Sequence, residues 1–412
     1  MNNKKTIVSI TPHRVEADSR TYKIAASFSR FGYTSFVVEG QRSNLERKNL
    51  PFFLLCIGTI PLDRIFKSLG CEAKNYILGR EHGQGFFKKI VRWSVKMGVD
   101  FLNNFLSPLL FTPKASLYYL HSPAQFLAIY LLSRLYNVPY IYDAHDFYSA
   151  QYSEREASYF KKLFSVLLPN FIELLCIRQA IAIVTVGENI AELYRNSFNR
   201  QITVIRNCHD ERLDEIVKKG LREKLNLSQN DFLIIAMWKP KPGRATREAI
   251  EAMLLLPPVV HLAFLGYGYE GYIDYVRNKG LQNRIHFFPL VKSYEVVSFI
   301  SSCDASLILY FPKDLDYKNT LPNKFFQSIS AELPLLYPEL PEIKKIVERY
   351  KIGIPIDPQK PESIANAVTE LMSDKEKFLT IKQNIRIAAS ELSWKHEENI
   401  LCDLVNRLLD KR

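Results

Sequence analysis

Long apolar runs, clustered cysteines, internal repeats and low-complexity tracts are all missing from this 412-residue chain, and each absence removes a class of protein. No apolar stretch approaches the roughly 20 residues that a membrane-spanning helix needs. The start, MNNKKTIVSITPHR, is basic, but its apolar part is only strand-length and lacks a cleavage-type ending. It reads as the first β-strand of a cytoplasmic protein rather than as a signal peptide. Six cysteines (Cys56, Cys71, Cys176, Cys208, Cys303 and Cys402) are scattered, with no CxxC pair and no Cys/His cluster. Buried thiols are expected, not a disulfide frame or a zinc site. No cluster of carboxylates is visible, so no metal is expected. No DNA- or RNA-binding motif accompanies the net charge of +12. The acidic partners that this charge favours are nucleotide phosphates or an anionic membrane, with nucleic acid last.

What is present is an alternation of strand-like and helix-like segments, the pattern of parallel α/β layers. Strands are expected at 6–10, 34–38, 116–120, 140–142 and 182–186 in the first half. In the second half they are expected at 232–236, 261–265, 285–288, 305–309 and 333–336. A helix from Ser19 to Phe31 ends at Gly32, as a C-cap would. The length suits two or three domains. A polar, basic passage around Asn196 to Asp210 places the boundary, giving a first domain over 1–197, a second over 198–388 and a closing helix over 389–412.

The stretch LPNKFFQSISAELPLLYPELP, Leu321 to Pro341, is the most informative. It reads as a loop, a short amphipathic helix, a buried strand and a second proline-bounded turn. Asn323 suits a helix N-cap, and the free N–H groups of that first turn, with Lys324, form a ready site for phosphate. Upstream, Arg244 precedes a helix in PGR, where a guanidinium could grip two phosphate oxygens. Lys239 and Lys241 stand beside it as helpers or as a solvated basic loop. Gly266 and Gly268 form a GxG that serves either a ligand or only a tight turn. His145, two residues beyond Asp143 and after a strand, reads as a functional imidazole whose tautomer Asp143 could fix, or as a structural histidine.

Taken together and in this order, these segments resemble the GT-B glycosyltransferases, in the large retaining group (family 4-like) that includes capsule and lipopolysaccharide enzymes. The resemblance runs almost end to end and is tightest in the second half. It implies two Rossmann-like α/β domains facing across a cleft, with the Trp394 helix crossing back to the first. It implies a nucleoside diphosphate sugar, UDP- or GDP-linked, as donor substrate and a glycan or lipid-linked glycan as acceptor, with no cofactor. His145 would lie near the transferred sugar, and Arg244 and Lys324 would hold the leaving diphosphate. Gly266, Val291, Lys292, Asn319, Asn323 and Gln327 would line the rest of the donor site. Asp18 and Arg20 match an Asp-x-Arg pair, or else are a helix cap and a surface side chain. Asn207 and Asp210 read as turn-formers.

Several positions depart from the pattern. Many relatives carry two Glu residues eight positions apart that contact the sugar and the ribose; here those places hold Asn319 and Gln327. Trp238 stands where a small residue is usual, Pro289 and Glu332 where Gly is usual, and Gly187 where Ser is common. The departures make a non-catalytic scaffold the alternative reading. Basic, aromatic-rich segments at Gly85–Phe111 and Phe160–Cys176 suit either helix packing or peripheral contact with the inner face of the cell membrane.

Overall fold

The structure is a computed structural model that describes residues 4–57, 98–144, 168–311 and 315–410. The chain divides into two compact units. One comprises Met1–Thr185, Arg195–Thr203 and Cys402–Arg412; the other comprises Val186–Tyr194 and Val204–Leu401.

The first unit carries β1 (Thr6–Thr11), β2 (Thr34–Glu39), β3 (Phe53–Cys56), β4 (Leu117–Leu120), β5 (Tyr140–Ala144), β6 (Ala182–Thr185) and β7 (Ile202–Val204). Its helices are α1 (Ser19–Arg30), α2 (Ser107–Phe111), α3 (Phe126–Tyr136) and α4 (Leu168–Gln179); the next helix, α5 (Glu188–Phe198), belongs to the second unit through Tyr194 and to the first from Arg195. The sheet order is β3-β2-β1-β4-β5-β6-β7, with parallel pairing from β3 through β6. Central strands of such a sheet are buried on both faces. Accordingly, Ile7, Val8 and Ile10 of β1 and all of β4, LYYL, are fully buried. Burying tyrosines requires acceptors for their hydroxyls. Tyr140 donates to the Cys176 carbonyl at 2.8 Å and Tyr142 to Glu173 Oε1 at 3.2 Å, which ties β5 to α4.

The second unit carries β8 (Phe232–Met237), β9 (Val260–Leu265), β10 (Ile285–Phe288), β11 (Ala305–Leu307), β12 (Leu335–Pro338) and β13 (Gly353–Ile356). Its helices are α6 (Leu221–Lys224), α7 (Thr246–Ala252), α8 (Glu270–Asn278), α9 (Val296–Ile300), α10 (Leu315–Lys318) and α11 (Asn323–Ser330). They continue with α12 (Pro341–Tyr350), α13 (Pro361–Ser373), α14 (Lys375–Glu391) and α15 (Trp394–Asp410), of which the residues from Cys402 onward belong to the first unit. The parallel sheet has the order β10-β9-β8-β11-β12-β13. From β8 the chain winds outward to β9 and β10, then returns to lay β11 on the other side of β8. That reversal makes β8/β11 the topological switch point, where ligands of open α/β sheets bind beyond the strand C-termini.

All ten expected strands are present, with ends shifted by a few residues. Three more, β3, β7 and β13, escape the sequence pattern because each is short and at or near a sheet edge. The motif of β13, GIPI, also pairs a glycine with a proline, which sequence reading takes for a turn. Asp18 caps α1, accepting the Thr21 N–H at 3.1 Å, and Gly32 adopts φ +87° just beyond the helix. Among the described residues, no helix is long and apolar enough to cross a membrane.

One buried polar pair carries a pH signature. His261 of β9 and His286 of β10 stack with ring centroids 5.4 Å apart and share a 3.2 Å contact between Nδ1 and Nε2. Burial is the first cause that lowers both pKa values. His286 falls to about 4, helped by His261; for His261, Arg284 and Arg222 add to the fall and Asp231 opposes it. Both rings are thus neutral in the fold. Their contribution is intact above the ordinary histidine value near 6.5 and is lost as pH drops from there toward 4. The melting temperature should decline through that window, and His286→Phe should remove a few degrees of the decline. Thermal unfolding of both proteins between pH 7 and pH 4 checks this, and parallel curves would refute it.

Candidate functional site

At the switch point of the second unit, the loop after β8 is clipped to the segment after β11. Ala245 N–H donates to the Leu309 carbonyl at 3.1 Å, and Arg244 and Tyr310 form an isolated antiparallel bridge. The clip carries the Arg244 side chain onto an aromatic bed. Its guanidinium carbon lies 3.2 Å from the centroid of Tyr310 and 4.8 Å from that of Tyr317. Lys241 also stacks on Tyr317, at 5.6 Å. Such stacking holds a cation in place without neutralising it.

Lys324 completes the cluster from the first turn of α11. Burial lowers its pKa, and the positive charges of Arg244 and Lys241 lower it further. Burial likewise pulls Arg244 below the usual guanidinium value, opposed in part by Tyr310 and Tyr317. No carboxylate among the described residues pairs with Lys241, Arg244 or Lys324. Three neighbouring cations, two of them partly desolvated, repel one another, and an anion of several oxygens would relieve that cost. Lys324, Tyr310 and Trp238 share the wall of a narrow recess floored by Ser306, Phe325 and Ser328.

The helix α11 begins one residue earlier than its sequence suggests. Pro322 occupies the cap position without a side-chain cap, and Asn323 is the first helical residue. The Asn323 side-chain Oδ1 instead accepts from the Asn207 side-chain amide Nδ2, so Asn207 anchors this turn. Phe325, Phe326 and Ile329 form the inward face, as their spacing implies. Gln327 lies one turn beyond Lys324, on the same side of the helix and partly exposed. Asn319 is 8% exposed and accepts from the Asn189 amide at 3.1 Å. The Asn189 backbone N–H in turn donates to buried Glu342 at 2.6 Å, in the first turn of α5, where a negative charge is favoured. A Cβ on Gly187 would sit 3.1 Å from the Glu342 carboxylate, so the small residue there makes room for it.

The remaining donor-site candidates follow the sheet order away from β8. Gly266 ends β9, and its missing side chain accommodates the Trp238 carbonyl, which a Cβ would meet at 2.1 Å. Gly268 takes φ +89° in the turn that follows. Val291 and Lys292 follow β10, two strands from β8, which sets the two strands about 10 Å apart. The Lys292 N–H points to Glu295 Oε2 at 3.4 Å, and its side chain stacks on Tyr294. Glu332 adopts φ +55° after α11, the left-handed conformation that suits glycine. Its carboxylate receives Arg386 Nε at 2.8 Å, which directs it to α14.

In the first unit, Arg20 is 3% exposed and not a surface side chain. Its Nε and Nη2 donate to the two oxygens of Asp143, each at 2.8 Å, and His121 Nδ1 lies 3.4 Å from the same carboxylate. Asp143 is therefore engaged by α1 and β4, and its expected effect on His145 is not needed to explain it. His145 itself lies outside the described residues. Tyr310, Tyr317, Asn189 and Glu342 escape sequence reading because each matters through a neighbour distant in the chain.

The family described as glycosyl transferases group 1 matches residues 217–387, all within the second unit. Across nearly the whole chain, the fold is similar to that of sucrose-phosphate synthase from Thermosynechococcus elongatus, with a TM-score of 0.69, 14% identity and 99% and 100% coverage of the two chains. It is also similar to HepE of Anabaena, solved with UDP and glucose, at a TM-score of 0.66, 15% identity and 98% and 100% coverage. WaaG, a glycosyltransferase of lipopolysaccharide biosynthesis, gives 0.60, 11% identity and 96% and 99% coverage. A search of the curated proteins finds no match. The fold is GT-B, and the resemblance read from the sequence is matched by a family across the second unit and by architecture across the chain.

The buried pair in the first unit gives a direct test. Removing one member of a buried ion pair leaves the other charge uncompensated, at about 3–5 kcal/mol. Arg20→Met should lower stability by that order in urea unfolding, and Arg20→Met/Asp143→Leu should recover part of the loss. A loss well under 1 kcal/mol would show that the pair does not hold α1 to the sheet.

Proposed function

We propose that the protein is a glycosyltransferase that moves a sugar from a nucleoside diphosphate sugar to a glycan or lipid-linked glycan, with retention at the anomeric carbon. The observation that carries this reading is the cation cluster at the β8/β11 switch point, which no carboxylate among the described residues neutralises. The family match over 217–387 and the UDP-bound state of HepE support it. Arg244, Lys324 and Lys241 would hold the diphosphate, Val291 and Lys292 the base, and Asn319, Asn323 and Gln327 the sugar end. Neither Asn319 nor Gln327 is ionised, so a covalent intermediate on either is disfavoured. In the favoured step, the acceptor oxygen bonds to the anomeric carbon as the bond to the phosphate oxygen breaks. The acceptor proton passes to the departing phosphate on the same face. The cations would stabilise the charge that develops on the leaving group. His145 would contact the sugar, as the resemblance implies. No metal enters this scheme.

The scaffold alternative draws on Trp238, Pro289, Gln327 and Glu332, and Glu332 no longer supports it. That residue serves a helix end and an ion pair with Arg386.

In a thermal-shift titration, millimolar UDP or GDP should raise the melting temperature. Arg244→Ala or Lys324→Ala should weaken the nucleotide about tenfold or more, the scale of a charge-assisted hydrogen bond at ~1.5–3 kcal/mol. Gln327→Glu should tighten binding by several-fold if the residue reaches the ribose. No shift with either nucleotide would favour the scaffold.

A lipid-linked acceptor would bring the first unit to an anionic membrane surface. Supporting this, Leu127, Leu131 and Leu135 form an exposed stripe along α3, beside exposed Leu110 and Phe111 of α2. Arg134 and Lys114 flank the stripe, each over a tyrosine ring. Residues 58–97 and 145–167, which include much of the two basic segments, lie outside the described residues. Flotation with anionic vesicles at low salt should capture the protein, and Leu131→Glu/Leu135→Glu should abolish capture. Equal recovery with neutral vesicles, or none with anionic ones, would remove the membrane from the proposal.

A further inference from the structure

Trp238 is the departure that the diphosphate reading leaves unexplained. It ends β8 where a small residue is usual by resemblance, yet it is only 4% exposed. Its backbone is fixed on two sides: Gly266 packs against its carbonyl, and the Tyr269 hydroxyl donates to the same oxygen. Its ring meets Phe264 edge-on, with centroids 6.2 Å apart. The indole therefore has little freedom. Its Nε1–H is nonetheless buried with no acceptor. A buried donor left unmatched bears its full desolvation cost, with no hydrogen bond to offset it.

The unmatched group is not alone. Arg244 Nε and the Thr246 hydroxyl, on the loop that closes over the same strand end, are also buried without partners, and Thr246 is 1% exposed. An indole can only donate, and the guanidinium N–H likewise. Two unmatched donors and an unmatched hydroxyl on this strand end and the loop after it, with Lys241 on the same loop, suit an acceptor-rich, negatively charged ligand. Trp238 and Lys324 both line the recess, which holds little more than a water-sized space in this state. The long flexible stem of Lys324 forms one wall, so rotation of that side chain would widen it.

We propose that Trp238 is a phosphate ligand, its indole N–H donating to an oxygen of the donor's diphosphate alongside Arg244 and Lys324. The proposal rests on the nucleotide reading above, in which a diphosphate occupies this end of the sheet. It gives the bulky residue a role that a small one could not fill with its side chain. It also implies that the recess opens when the anion arrives.

The test uses the full chain, with inorganic pyrophosphate and with UDP and GDP as probes in calorimetric titrations. Trp238→Phe keeps the ring and removes the N–H. It should weaken pyrophosphate and the accepted nucleotide by five- to tenfold. In the unsubstituted protein, the Trp238 indole proton resonance should move downfield on saturation with pyrophosphate. Unchanged affinity in the variant would overturn the proposal while leaving the nucleotide reading intact. If the variant fails to fold, an indole resonance that does not move would overturn it equally. Trp238-dependent binding of pyrophosphate, with neither UDP nor GDP bound, would support the ligand and sink the nucleotide reading. Binding of none of the three probes by the unsubstituted protein would end both.

Discussion

Positive charge that no carboxylate among the described residues neutralises is the constraint on which the candidate site in the second unit depends. Lys241, Arg244 and Lys324 come from two loops some eighty residues apart in sequence, and nothing acidic among the described residues offsets them. Like charges at close range are tolerated only where the fold forces them together. Here the force is the backbone clip between the loops after β8 and β11, together with the two tyrosine rings on which Arg244 rests. The aromatic faces stabilise the guanidinium while leaving its donors able to serve an anion. An arginine paired to a carboxylate would be just as well fixed but would have nothing left to offer.

Buried or half-buried charge elsewhere in the chain is closed by pairing, and the cation cluster is the contrast. In the first unit, the buried Arg20 is matched to Asp143 by two hydrogen bonds of 2.8 Å, and the pair joins α1 to the end of β5. That arrangement is closed and structural. In the second unit, Arg206 pairs with Glu397, Arg222 with Asp304, and Arg212 with Asp210 and Glu398, whereas Lys241, Arg244 and Lys324 meet no carboxylate among the described residues. Glu332 goes to Arg386, and Glu342 goes to the first turn of α5.

A chain of contacts runs from the Glu342 carboxylate through the Asn189 backbone and side-chain amide to Asn319. Asn319 is oriented by that side-chain amide, so a neutral residue is held in a fixed place by hydrogen bonds alone. The contrast with the cation cluster is physical: Asn319 offers neutral hydrogen bonding, whereas Lys241, Arg244 and Lys324 offer charge, and a charge-assisted hydrogen bond is about twice as strong as a neutral one.

By itself the sequence determined the parallel α/β class, ten of the thirteen strands, the capped start of α1 and the inward face of α11. Each of these is a local matter: apolar period, a capping side chain, a glycine with positive φ. It also marked Arg244 and Lys324 as basic residues beside loop-to-helix turns, which is readable over a few positions. Only the tertiary structure decided that Asn323 follows the cap, that Arg20 is buried against Asp143, and that Glu332 turns to Arg386. It alone brought Tyr310 and Tyr317 under Arg244 and left the Trp238 N–H without an acceptor. Those outcomes depend on partners more than fifty residues away in the chain, or on the absence of any partner. Neither can be read from a local pattern, because a side chain's protonation, orientation and satisfaction are set by what packs against it.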